Sequence, residues 1–112
     1  MTRILVGVFL LASAGSVAAQ DAAKIAKGKQ VYAAQKCQTC HAIQGVGNKK
    51  GELDDVGARL KEEEIRQWIT HAPEMTEKTK AARKPVMKAY PNLPKDDLDA
   101  LVAYLFSLKK KA

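Results

Sequence analysis

Cys37-Gln38-Thr39-Cys40-His41 concentrates more chemistry than any other stretch of this chain. Two thiols flank a two-residue spacer, and an imidazole follows at once. At the end of a helical turn, thiols three residues apart can each form a thioether with one vinyl group of the same porphyrin. The next residue is then carried beneath the iron, where a neutral imidazole serves as proximal ligand. The spacing therefore marks Cys37 and Cys40 as covalent attachment sites for a c-type haem and His41 as an axial ligand. A thioredoxin-like dithiol shares the C-x-x-C spacing but needs a βαβ setting, and no strand pattern surrounds this one. A zinc site needs more ligands than the motif supplies, and beyond it stands only His71, with no further cysteine.

The second axial position decides the chemistry, because an open site binds small molecules and a filled one favours electron transfer. The candidates are Met75, Met87, His71 and lysine. Met87 lies in Lys84-Pro85-Val86-Met87-Lys88-Ala89-Tyr90-Pro91, where prolines on both sides stiffen the backbone presenting a weak thioether ligand. Met75, in Pro73-Glu74-Met75, reads as core filler. His71 would give a bis-histidine site of lower potential, but beside Pro73 at a helix end it reads as a surface residue.

These residues must be held by a small domain. Residues 1–19 have the pattern of a secretory signal: Arg3 as a short positive region, an apolar run from Ile4 to Leu11, then Val17-Ala18-Ala19 before Gln20. The apolar run is too short to span a bilayer, and no cysteine follows the cleavage site to take a lipid. The domain expected is therefore 20–112, exported to the periplasm, with no membrane span after processing. Its roughly 93 residues would bury only about two-thirds of the surface that the unfolded chain exposes. An enclosed haem adds apolar core, so the haem-free polypeptide is expected to fold poorly. In an oxidising compartment two free thiols would pair, whereas thioether bonds consume both.

The formal charge of +7 falls to about +6 when Arg3 leaves with the signal, which favours steered encounter with an acidic protein surface. Nucleic acid is disfavoured by export and by the lack of aromatics among the basic residues.

No segment alternates as a half-buried strand does. A first helix is expected from Asp21, a good N-cap, through Gln35, with Ile25, Gly28, Val31 and Tyr32 on its buried side. Glycine costs about 1 kcal/mol in a helix interior, a cost that a close helix crossing offsets. Gly45, Gly47, Gly51 and Gly57 punctuate a loop suited to wrapping a flat ligand, with Leu53 and Val56 as apolar contacts. A second helix is expected over 61–70, with Glu62, Glu63 and Glu64 in its first turn and Ile65, Trp68 and Ile69 on one face. Trp68 reads first as a core residue and second as a contact to a haem edge or propionate through its indole N–H, and Pro73 closes the segment. From Pro73 to Lys95 a long loop carries Met75 and Met87, and loops of that length tend to be functional. The last helix, over 95–109, has Leu98, Leu101, Val102, Leu105 and Leu108 at helical period. Its Leu101 and Tyr104 are expected to pack near Gly28 and Tyr32.

Taken together, C-x-x-C-H after an N-terminal helix, Gly51…Leu53…Val56-Gly57, the tryptophan helix, and Pro85…Met87…Tyr90 before Leu98-x-x-Leu101-Val102-x-Tyr104-Leu105 resemble a class I monohaem cytochrome c of the small bacterial type. The resemblance covers the whole expected domain. It implies an all-α cytochrome c fold, with N- and C-terminal helices crossing and helices and loops wrapped around one covalently bound haem. It also implies Cys37 and Cys40 as thioether sites, His41 as proximal ligand and Met87 as distal ligand. One departure stands out. The family often has Gly-Pro after the motif, the proline carbonyl accepting the histidine N–H, but here Gly51 is followed by Glu52. A carbonyl can still serve there, since every residue has one, but the restricted proline φ is lost, so a looser bond to the histidine is expected.

The function expected is that of a soluble, monomeric electron carrier and not an enzyme. Lys36, Lys49, Lys50 and Lys88 are candidate contacts to redox proteins with acidic docking surfaces. A haem-bearing subunit of a larger dehydrogenase or oxidase would share every motif. A haem peroxidase would need a distal acid–base pair that the sequence lacks.

Overall fold

The computed structural model describes residues 17–110. Most of the expected signal segment, residues 1–16, lies outside the described residues, while Val17–Ala19 open the first helix.

That helix, α1 (Val17–Ala34), begins before Asp21, which sits inside it and not at its cap. Lys36, in the left-handed region at φ 57°, ends it and turns the chain into a single 3-10 turn over Cys37–Thr39. A short hairpin follows, β1 (Ala42–Ile43) antiparallel to β2 (Val46–Gly47), with Ala42 opposite Gly47 and Ile43 opposite Val46. Two-residue strands are too short for alternation to reveal, so this hairpin has no periodic signature. A 3-10 turn (Lys49–Gly51) and the one-turn helix α2 (Val56–Arg59) complete the loop.

Helix α3 (Glu62–Thr70) lies where expected, with the Lys61 N–H donating to Glu64 Oε1 at 3.0 Å at its start. The expected long loop is partly helical. His71, at φ −136° and ψ 43°, breaks α3, and Pro73 falls in the first turn of a further helix, α4 (Ala72–Thr79). Proline is tolerated there because its missing N–H would have had no intrahelical acceptor. Proline is thus a starter here and not a terminator. Ala72 and Met75 form the buried face of α4, and left-handed Lys80 ends it.

The last helix, α5 (Lys95–Phe106), stops short of the expected Lys109. Ser107 caps it through its hydroxyl on the Tyr104 carbonyl. Leu108 then leaves the helix so that its carbonyl accepts from Gly57 N–H at 2.7 Å.

The core lies between α1 and α5, closed by α3 and the hairpin. Val31, Tyr32, Ile43, Val56, Ile65, Ile69, Leu101, Val102, Tyr104 and Leu105 form one buried cluster. Burial of a side chain such as Leu101 or Val102 contributes about 1.5–3 kcal/mol. The expected meeting of α1 and α5 is present: Gly28 lies against the Ala100 carbonyl and Tyr104 Cβ, and the Tyr32 and Tyr104 rings meet edge to face at 6.0 Å. Trp68 differs from expectation, being half-buried and outside this cluster.

Helices α3 and α5 are also joined by charge. Asp99 accepts from Arg66 at 2.8 Å and from Lys95 at 2.9 Å. The bond from Lys95, then that from Arg66, holds the Asp99 carboxyl below the usual carboxylate range. A carboxyl depressed in the folded state contributes stability above its unfolded pKa near 4, and that contribution is lost as pH falls through the folded value. Acid titration of stability should therefore be shallower for Asp99→Asn than for wild type below about pH 4, as followed by denaturant midpoints at successive pH values.

Candidate functional site

The 3-10 turn after α1 places the two thiols and the imidazole on one short, hydrogen-bonded rung. Cys40 N–H and His41 N–H both donate to the Cys37 carbonyl, at 3.2 and 3.0 Å. Cys37 and Cys40 are free thiols and both half-buried. Burial pushes the Cys37 thiol up to about 11, so it stays un-ionised while packed against the core.

His41 is oriented by the loop that comes after it. Its Nδ1 lies 3.1 Å from the Gly51 carbonyl. A carbonyl only accepts, so Nδ1 carries the proton and Nε2 presents the lone pair that a metal can take. Burial holds the His41 pKa below the ordinary histidine value; the Gly51 bond opposes this and the charge of Arg83 adds to it. The result is a neutral imidazole with one defined tautomer, the form that ligates iron.

The acceptor is Gly51 itself, one residue before the position where the family's proline stands. Glu52 nevertheless adopts φ −64° and ψ 131°, a backbone that proline also adopts. Among the described residues its N–H has no assigned acceptor, and glycine at position 51 eases the clash that a proline makes with the residue before it. Glu52→Pro should therefore raise stability by about 0.4–1 kcal/mol by narrowing the unfolded ensemble, measured as a shift in denaturant midpoint without a change in its slope.

The rest of the loop is stitched to the motif. Asn48 N–H donates to the carbonyls of His41 (2.9 Å) and Gln38 (3.1 Å), and Leu53 N–H donates to that of Ala42 (2.9 Å).

Met87 lies on the segment between α4 and α5, and is half-buried. Both flanks of that segment reach the motif. Upstream, the Arg83 guanidinium packs over Gly51 beside the Cys40 carbonyl, space that a Cβ at position 51 would fill. Downstream, Tyr90 N–H donates to the Ile69 carbonyl at 2.7 Å, and its hydroxyl reaches the Gln35 carbonyl at 3.4 Å, two residues before Cys37. Met87 is therefore carried on a span tethered on either side of Cys37–His41. The other candidates lie elsewhere. Met75 is buried in α4, at 6% exposure. His71 is exposed between α3 and α4, its Nδ1 2.7 Å from the Thr70 hydroxyl. Arg83 and Tyr90 carry no sequence signal as anchors, because nothing in spacing or composition says which loop residue will fold back on the motif.

Two free thiols on one turn, a neutral imidazole with Nε2 unprotonated, and a methionine on a strap tied down beside them are a donor set that fits a c-type haem. A mainly helical chain built around that set is a c-type haem protein. It belongs to the cytochrome c family, which it matches over residues 25–109. Membership brings a covalently bound c-type haem and a role in electron transfer. The chain is 32% identical over 92 residues to cytochrome c oxidase subunit 2 of Alkalihalophilus pseudofirmus, an alignment covering 74% of this chain and 25% of that protein. It thus spans about a quarter of that relative's length. No solved structure matches the chain. Among the described residues no helix is long and apolar enough to cross a membrane.

Proposed function

We propose that the chain is an exported, soluble, monomeric carrier of single electrons in the periplasm, and not an enzyme, after removal of residues 1–19. Cys37 and Cys40 form the thioether bonds, His41 is the proximal ligand and Met87 the distal one. The observation that carries this reading is the strap from Arg83 to Tyr90, anchored to Gly51 and Gln35 with Met87 between the anchors.

The haem supplies a one-electron ferric/ferrous couple when bound. The chain's part is to keep both ligands in place in both oxidation states, so that little reorganises as charge changes. The Gly51 carbonyl fixes the tautomer and ring plane of His41. Tyr90, held by Gln35 just after α1 and by Ile69 of α3, limits how far Met87 can retreat. A thioether ligand in a low-polarity pocket favours the reduced state and raises the potential.

Electrons would pass at the exposed haem edge to partners with acidic docking surfaces. Lys36, Lys49, Lys50 and Lys88 are exposed and belong to none of the ion pairs among the described residues. The two large apolar side chains most exposed there also flank the site: Val46 at the hairpin, 71% exposed, and Val86 beside Met87, 43% exposed. Exposed lysines together with a few exposed apolar side chains suit rapid, short-lived encounter.

The likeness to an oxidase subunit favours a second reading, in which the chain is the haem-bearing subunit of a larger oxidase or dehydrogenase. Gel filtration of native periplasmic extract separates the two. Haem absorbance eluting near the mass of this chain supports the carrier; elution with a large complex supports the subunit. A purified, matured protein that is colourless and has the mass of bare polypeptide would overturn both.

A further inference from the structure

Asp54 joins two parts of the chain by hydrogen bonds, the hairpin turn and the segment after α5. On one side its Oδ1 accepts from Gln44 N–H at 2.6 Å. Gln44 (φ 51°) and Gly45 (φ 77°) are the two left-handed residues that turn β1 into β2, starting three residues after His41. Glutamine is not at ease there: a left-handed residue with a Cβ costs about 1–2 kcal/mol, and a charge-assisted bond of this length offsets it. On the other side the Asp54 main-chain carbonyl accepts from Lys110 N–H at 3.0 Å. Next to it, Gly57 N–H donates to the Leu108 carbonyl, so the segment after α5 is strapped along 54–57. The 52–54 stretch itself runs beside β1, through the Ala42–Glu52 bridge and the Leu53–Ala42 bond. Whatever moves Asp54 thus moves both the turn after His41 and the stretch after Gly51, the residue whose carbonyl His41 uses.

We propose that Asp54 is a positioning residue for the iron ligand His41: by tying the left-handed turn of the hairpin to the segment after α5, it sets how firmly His41 Nδ1–H is held to the Gly51 carbonyl. The proposal rests on the reading of His41 as proximal ligand. It separates two effects of the side chain. The negative charge itself favours the ferric state. The pin strengthens the His41–Gly51 bond, which raises the basicity of the imidazole and favours the ferric state further. Asn at position 54 keeps an acceptor oxygen and loses the charge; Ala loses both.

The test uses the haem-loaded protein in its diamagnetic ferrous state and compares wild type, Asp54→Asn, Asp54→Ala and a chain ending at Lys109. Amide exchange at Gln44 is read against Leu101 in the core, beside the midpoint potential. Asp54→Ala should speed Gln44 exchange about tenfold or more relative to Leu101, the loss expected of one charge-assisted bond. It should also raise the potential beyond the rise in Asp54→Asn, which keeps Gln44 protected. Should Asp54→Ala fail to hold haem, the chain ending at Lys109, which lacks the Lys110 donor along with Lys111 and Ala112, should still speed Gln44 exchange by a smaller factor. Gln44 exchange within about twofold of wild type in Asp54→Ala, or in the shortened chain where that one must serve, sinks the proposal. So do equal potentials for the Asn and Ala variants. Failure of the underlying ligation looks different: wild type itself would then lack a low-spin haem spectrum, whatever Gln44 does.

Discussion

Met87→Ala is expected to abolish the iron–thioether charge-transfer band of the ferric protein and to lower its midpoint potential, while Met75→Ala leaves the band in place and costs stability instead. The two methionines differ in how the chain holds them. Met75 is 6% exposed on the inner face of α4, one turn after buried Ala72. Truncating such a side chain removes packing and leaves a cavity, at a cost of about 2–5 kcal/mol. Met87 is half-buried on an irregular segment, held by Arg83 on Gly51 and by Tyr90 on Ile69 and Gln35. Its removal loses little core. What it loses is the proposed distal ligand, a soft one that favours ferrous iron, so the potential should fall by on the order of 0.1 V or more, a fraction of the roughly 0.8 V that axial ligands span. Optical spectra, potentiometric titration and denaturant midpoints on both variants resolve the pair of effects. Loss of the band in Met75→Ala alone would move the distal ligand to α4 and undo the proposed site.

The contrast also shows where the residues speak for themselves. C-x-x-C-H is legible because three side-chain types must occur at one spacing for one reaction, and the local 3-10 turn needs nothing distant to form it. The helices α1, α3 and α5 are legible because their apolar residues recur at helical period and meet in one cluster. Helix α4 is hidden because Pro73 reads as a stop signal, and only its place in a first turn turns it into a start. The end of α5 differs from expectation for another reason: Leu108 keeps the helical period, yet its carbonyl is drawn off by Gly57, more than fifty residues earlier in sequence. Trp68 reads as core because tryptophan usually is, but it is half-buried and outside the main cluster, a placement that apolar periodicity alone does not encode. The partner of His41 depends on loop conformation, so the missing proline points to residue 52 while the bond is made by Gly51.

Gly28→Ala should destabilise the protein by about 1–3 kcal/mol, against the sign that helix propensity gives. In an isolated helix, alanine is favoured over glycine by about 1 kcal/mol, so packing must outweigh that gain before any loss is seen. The geometry says that it does. A Cβ at Gly28 would run into the Ala100 carbonyl and lie 2.5 Å from Tyr104 Cβ, atoms of the α5 backbone and its root and not the ends of flexible side chains. Relief requires α1 and α5 to move apart, which loosens the Tyr32–Tyr104 contact and the buried Leu101 and Val102 beside it. For a domain whose total stability is about 5–15 kcal/mol, that is a large share. Gly45→Ala gives the matching control, since a Cβ there meets nothing within 4 Å and the cost is only that of φ +77°, about 1–2 kcal/mol. Gly28→Val should be worse than Gly28→Ala because its added methyls press on the same backbone, whereas lengthening residue 45 to an unbranched side chain such as Gln should add little. Denaturant unfolding of the four haem-loaded variants, Gly45→Gln included, checks this ordering. If Gly28→Ala were as stable as wild type, the two helices would not meet as closely as the Tyr32–Tyr104 contact requires, and the helix that delivers Cys37 to the site would be free to slide.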